Sequence, residues 1–296
     1  MIGILNSTVQ GATYRLLAIR LPLTRLSQLG LALATTWVLW PVFQHAVVVW
    51  STSEEFSFGF LVPPVAALLV WWRRATLQQT ARHGSALGLA IAFGALVLYV
   101  FAERVEIHAL AGLAVAPLLL GMALYLWGWG TARSLAFPVS FLTGSLILHR
   151  GLLSTVGFAL QEFTALAAAP LARGFGVPVE RSGLVLRSDQ FAFIVAEECS
   201  GMSALVAMLA LALLWVAIAQ GPLPARLVVL LSVLPLVALA NTLRVALVLL
   251  VAAWFGPEAA LGFFHGASGL LLFAMIIGAL GLVSWRIGCR IPPHAM

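Results

Sequence analysis

The chain has no lysine and little charge of either sign. All sixteen basic residues are arginine, and with ten acidic residues the charged fraction is only 9%. Soluble domains carry about 25%. With 62% hydrophobic residues and a mean hydropathy of +1.06, a soluble globular fold is excluded, as is a soluble domain held by one anchor. Two cysteines, Cys199 and Cys289, are too few for a disulfide framework or a four-cysteine metal site, and neither a metal nor another cofactor is expected. The net charge of +6 does not point to nucleic acid, because the arginines are scattered and lack aromatic interleaving. No small-residue cleavage site follows Arg15, Arg20 and Arg25, so no cleavable signal is expected. The lack of lysine itself reflects coding composition rather than chemistry.

What is there is a series of apolar runs. A helix of about 20 apolar residues crosses the hydrocarbon core, which gives about eight candidate spans, roughly 28–50, 57–72, 85–102, 107–128, 133–149, 200–220, 226–254 and 262–285. The short alternating segments of a membrane barrel are missing, so the spans read as helices. The expected architecture is an all-α polytopic protein, one integral membrane domain over residues 1–296, with segment 1–27 and tail 286–296 in the cytoplasm. Between the fifth and sixth spans lies a long connection, 150–198. Gly151 to Gly174 reads as an amphipathic interfacial helix. VPVERSGLVLRSDQFAFIV alternates apolar and polar residues and is broken at Arg181-Ser182-Gly183 and Arg187-Ser188-Asp189-Gln190, which predicts a small β-hairpin.

Arginine bias sets the orientation. With the N-terminus inside, ten of the sixteen arginines are cytoplasmic: Arg15, Arg20, Arg25, Arg73, Arg74, Arg82, Arg133, Arg226, Arg286 and Arg290. Every acidic residue then lies outside, including Glu54, Glu55, Glu103 and Glu106, which read as solvated loop charges. An even number of spans returns the C-terminus to the cytoplasm. The expected location is the cytoplasmic membrane.

Arg244 departs from this pattern. It lies within the apolar run LVALANTLRVALVLLVAAW, roughly 13 Å below the outer end of the seventh span. A cation at membrane depth costs at least about 2.5–3.5 kcal/mol and marks function by default. Asn241, three residues earlier, shares its helical face. Cys199 opens the sixth span and His265 the eighth, so three consecutive spans carry a thiol, a guanidinium and an imidazole to the outer half of the membrane. Alone, Cys199 reads as a small hydrophobe and His265 as an interfacial residue. As a set they suit thioester-forming acyl transfer. The thiolate is the nucleophile, favoured by a cation or a helix N-terminus. The imidazole is the general acid and base, and the guanidinium stabilises the thiolate or the oxyanion. Asn241 would orient Arg244 or donate a hydrogen bond. Cys289 lies on the cytoplasmic side and cannot join the set.

The same residues carry a resemblance. Glu197-Glu198-Cys199-Ser200-Gly201, Asn241-Thr242-Leu243-Arg244-Val245 and Phe264-His265-Gly266 resemble, in order and spacing, the E-x-C-S-G, N-x-x-R and histidine segments of the exosortase/archaeosortase family. Phe58-Gly59-Phe60-Leu61-Val62-Pro63 with Trp72-Arg73-Arg74 resembles its early block, and Leu135-Ala136-Phe137-Pro138 and Gly176-Val177-Pro178-Val179 also fit. The resemblance implies a membrane cysteine peptidase or transpeptidase. Its substrates would be exported proteins ending in a short motif such as Pro-Glu-Pro, an apolar helix and a basic tail, in bacteria often in connection with exopolysaccharide. It puts catalysis on Cys199, Arg244 and His265, with Asn241, Glu197, Ser200 and Gly201 in support. Membrane lipid is the other expected partner, and nucleic acid is not one. Two departures stand out: Phe58 replaces the histidine of the early block, and Leu146-Ile147-Leu148-His149-Arg150 lacks a proline-rich pattern. Two other readings remain at this point. One is a transporter with Arg244 and Asn241 as an anion site, against which no inverted repeat is evident. The other is a non-catalytic assembly protein.

Overall fold

The computed structural model describes residues 3–80, 83–147, 150–260, 262 and 265–290. The chain divides into two units, residues 1–45 and 46–296. The first is helical throughout its described residues, as part of α1 (Gly3–Thr52). The second contains a 3-10 segment, Glu54–Leu61, then α2 (Val62–Trp72), α3 (Arg74–Gln79), α4 (Ala86–Arg104), α5 (His108–Trp127), α6 (Trp129–Ile147) and α7 (Arg150–Gly174). Strands β1 (Glu180–Ser182), β2 (Val185–Arg187) and β3 (Ala192–Ile194) precede α8 (Met202–Ile218), α9 (Leu223–Phe255), α10 (Pro257–Ala259) and α11 (His265–Arg286). It is an all-α multi-pass membrane protein with one small sheet.

Among the described residues, seven helices are long and apolar enough to cross a membrane: Leu26–Thr52, Glu55–Trp72, Ala86–Arg104, His108–Trp127, Ser154–Gly174, Leu223–Phe255 and Ser268–Arg286. This differs from the expected set in three members. The helix expected over 133–149 forms as α6, but it is too polar to qualify, because it carries Arg133, Ser134, Ser140, Thr143 and Ser145. The helix expected over 200–220 forms as α8, which is apolar but only 17 residues long. Conversely, the interfacial helix of the long connection is a 25-residue element whose stretch Ser154–Gly174 qualifies as a span. It buries a stripe of small residues, Ala165, Ala168, Ala169 and Ala172, and that stripe made it read as amphipathic.

The expected hairpin is present with a third strand added. β1 and β2 pair antiparallel through Ser182↔Val185, and β2 and β3 through Leu186↔Phe193. Gly183, at φ +62°, turns the first corner, a conformation favoured by glycine. The sheet buries Leu186 and Val195 together with Ala168 and Ala172 of α7 and Leu249 and Ala252 of α9. It therefore covers one end of α9 rather than standing alone.

Helix α9 shows how the site is positioned. Ala225, Val229, Val233, Val237 and Asn241 are buried at four-residue intervals, the repeat of one helical face. Leu227, Leu231, Leu234 and Leu239 on the other faces are exposed, as suits a helix whose outer surface meets lipid. Asn241 occupies the next place in a valine stripe, so helical geometry delivers a polar side chain to a packed interior.

Helices α4 and α5 pack through small residues. A Cβ at Gly88 would lie 2.3 Å from the Tyr125 backbone N, and one at Gly121 would lie 2.7 Å from the Ala92 backbone N. Backbones this close are the usual means of association in lipid, where van der Waals packing replaces the hydrophobic effect. Gly94, also on α4, has nothing within 4 Å of a built Cβ. Gly121→Val should therefore destabilise the folded state by about 1–3 kcal/mol, read as an earlier midpoint in a denaturing-detergent titration. Gly94→Ala should leave the midpoint unchanged or raise it slightly. Equal effects of the two substitutions would show that this contact is not tight.

Candidate active site

The segment leading into α8 is built by backbone chemistry. After β3 the chain turns through a 3-10 element, Glu197–Cys199, in which the Cys199 N–H donates to the Ala196 carbonyl (3.0 Å) and the Ser200 N–H to the Glu197 carbonyl (3.1 Å). Gly201 follows at φ +83°, and α8 begins at Met202. The Ser200 hydroxyl, 1% exposed, accepts from the Met202 N–H at 3.0 Å, satisfying one of the open donors at a helix start. A Cβ on Gly201 would stand 3.0–3.3 Å from the side chain of Asn241. Both the left-handed backbone and this close approach require glycine. Ser200 and Gly201 thus shape the turn that presents Cys199. Cys199 forms no disulfide and is half-buried, three residues ahead of α8, where the helix dipole is positive.

Asn241 secures this turn from the adjacent helix. Its Nδ2 donates to the Cys199 carbonyl at 2.8 Å and to the Thr164 hydroxyl of α7 at 3.1 Å. Asn241 and Thr164 are both 0% exposed. The Asn241 Oδ1 is buried with no hydrogen-bond partner among the described residues. Of the two roles expected for Asn241, the structure shows the donated hydrogen bond. Arg244 is oriented from another direction: its Nε donates to the Ser268 hydroxyl of α11 at 3.1 Å. Ser268 is 5% exposed and was not singled out in the sequence. A serine in an apolar helix gives no signal until its partner is known.

Arg244 lines two cavities. The smaller, about 60 Å³, is apolar; it is bounded by Leu186, Phe193 and Val195 of the sheet region and Val245 and Val248 of α9, and it contains Cys199. The larger, about 490 Å³, is lined by Glu55, Ser57, Phe58, Gly201, Ser203, Asn241 and Arg244, among others. Glu55 is not a solvated loop charge, because it is 9% exposed and faces the same space as Arg244. Its setting is made by Gly59, where a Cβ would fall 2.3 Å from the Trp50 indole, and by the edge-on contact of Trp50 with Phe60 at 5.5 Å. These contacts fold the 3-10 segment back beneath Trp50, and the segment packs on α8. Phe58, which departs from the resembled pattern, lies on the wall of that cavity.

The other expected site residues are placed as follows. Glu197 is exposed. His265 is the first residue of α11, one turn before Ser268; its side chain and that of Glu198 lie outside the described residues, as do Phe263 and Phe264. Cys289, 1% exposed, packs beside Gly221 and the Gln220–Arg290 bridge. That is beyond the far end of α8, roughly 25 Å of helix from Met202.

Compared with known families, residues 50–282 match the one described as transmembrane exosortase (Exosortase_EpsH). No curated protein and no solved structure matches.

The buried Asn241 amide is expected to dominate local stability. Asn241→Ala strands the Cys199 carbonyl and should cost about 1–3 kcal/mol. Gly201→Ala should cost a similar amount, about 1–3 kcal/mol, through backbone strain. Both are read from the detergent-unfolding midpoint, with Glu197→Ala, on an exposed side chain, expected to leave it unchanged.

Proposed function

This chain belongs to the transmembrane exosortase family, and from that premise we propose that it is a cysteine peptidase/transpeptidase which cleaves the C-terminal sorting signal of exported proteins. One observation carries the reading: Cys199 and Arg244 line one cavity. Each is held from a different helix, Cys199 through Asn241 and Arg244 through Ser268.

In this reading the Cys199 proton passes to His265, and the thiolate attacks the carbonyl carbon of the scissile peptide. Arg244 donates to the developing oxyanion, the step at which a fixed donor stabilises the transition state most. The C–N bond breaks, the leaving amine takes the proton from His265, and the acyl group stays on sulfur as a thioester. Water or another nucleophile then releases it. The role of His265 rests on the family pattern and on its position at the start of α11, one turn ahead of the serine that holds Arg244. The apolar cavity beneath the sheet suits a compact, uncharged side chain beside the scissile bond. The arginine bias supports an orientation with both termini in the cytoplasm and Cys199 at the outer face of the cytoplasmic membrane. There the motif of a substrate anchored by its own apolar helix would emerge, with its basic tail inside.

The test is co-expression with a candidate substrate from the same genome that ends in a motif, an apolar helix and an arginine-rich tail, followed by mass. Cys199→Ala should abolish processing. Arg244→Ala should slow it by about 10²–10³-fold; Arg244→Lys should recover only part, because the ammonium lacks the guanidinium's fixed fork. Cys289→Ala should process as wild type. Normal processing by Cys199→Ala would overturn the assignment of the nucleophile. A wild-type protein that processes nothing but moves a solute in proteoliposomes would establish transport instead.

A further inference from the structure

The polar cavity that Arg244 also lines is distinct from the apolar one that contains Cys199. It does not include Cys199, yet it shares Arg244 and includes Gly201 and Asn241, which build the turn that holds Cys199. At about 490 Å³ it falls within the range of small-molecule sites. The cavity beside the thiol is about 60 Å³.

The chemistry of its walls is specific. Glu55 places a carboxylate there at 9% exposure, in a chain with only ten acidic residues. Asn241 lines the same cavity, and its Oδ1, which water does not reach, is buried without a hydrogen-bond partner among the described residues. Its assignment as oxygen follows from the Cys199 carbonyl, which requires the amide nitrogen on its side. Ser57 and Ser203 add hydroxyls, while Phe58 and Leu272 supply apolar wall. A cavity lined by Glu55, Ser57, Ser203 and Arg244 suits a ligand that brings hydrogen-bond donors.

Resting on the cysteine-transpeptidase reading above, we propose that this cavity is the acceptor site and that Glu55 is the base for the second half-reaction. Its ligand is a protic nucleophile, an amine or a hydroxyl compound. The nucleophile's proton goes to the Glu55 carboxylate, and its nitrogen or oxygen bonds to the thioester carbonyl carbon. The C–S bond breaks, and the thiolate leaves beside Arg244. The proton then returns from Glu55 to sulfur. Acyl-enzyme and acceptor thus become acylated acceptor and free thiol, with no other reactant. Arg244, on the boundary of both cavities, serves the oxyanion in each half-reaction.

The alternative is that Glu55 only balances the charge of Arg244. The two roles differ in the step that they affect. A counter-charge is needed for acylation, whereas an acceptor base is needed only for release. The experiment uses the full-length enzyme in nanodiscs with the tagged sorting-signal protein, and intact mass reads the thioacyl adduct. Glu55→Gln should acylate at the wild-type rate and release roughly 10²–10⁴-fold more slowly, the range for losing a general base. The adduct should therefore accumulate. Hydroxylamine, nucleophilic without a base, should discharge the variant and the wild type alike. Product formed in ¹⁸O-water separates water from an amine acceptor, since only water adds the label. Ala207→Leu, which narrows the same cavity and keeps Glu55, should also accumulate adduct. Release at the wild-type rate in Glu55→Gln overturns the proposal. So does a failure of both variants to acylate while the wild type does. If the wild type forms no hydroxylamine-sensitive adduct, the cysteine reading itself fails.

Discussion

The carboxamide of Asn241 is the interaction on which the rest of the site depends. One nitrogen donates to a hydroxyl on α7 and to the carbonyl of the candidate nucleophile, joining three elements that are distant in sequence. Lipid offers no compensating partner for a polar group released from such a site, so the bond defines the packing as well as stabilising it. Glycine at position 201 follows directly, because any side chain there would meet the amide. The short α8 follows as well. It starts only after a 3-10 turn that presents Cys199 at the level of Asn241.

Arg244 is a costly residue at membrane depth, and its surroundings give the cost a purpose. Its Nε is held by Ser268, and Arg244 lines an apolar cavity with Cys199 and a polar cavity with Glu55. A fixed cation between two cavities can serve charge that develops on a group reached from either side. The small sheet contributes by closing the apolar cavity, with Leu186, Phe193 and Val195 on its wall.

Periodicity made much of this legible. Ala225, Val229, Val233, Val237 and Asn241 of α9 are buried at four-residue intervals, and the three-residue spacing of Asn241 and Arg244 put both on one helical face before any partner was known. Hydropathy separated most of the helices, and alternation with turn residues located the sheet. It misjudged cases in which composition and environment part. α6 is a long helix made polar by residues such as Thr143 and Ser145, which tertiary packing buries. α7 is long enough to cross a membrane although its buried face is alanine. The third strand, Ala192–Ile194, lies in the same alternating run as the other two, and only its pairing with β2 distinguishes a sheet from a hairpin.

By itself the sequence determined an all-helical membrane chain, an arginine that needed a reason, and a family pattern that orders Cys199, Arg244 and His265 along it. These follow from local quantities: side-chain transfer cost, helical repeat and spacing along the chain. Only the tertiary structure decided that Asn241 serves the Cys199 carbonyl rather than Arg244, that Ser268 holds the guanidinium, and that Glu55 is buried on the wall of a cavity that Arg244 also lines. Each of these depends on which helices pack together. Serine, threonine and glutamate look alike in sequence whether they face water or one another, and only the packing separates those cases.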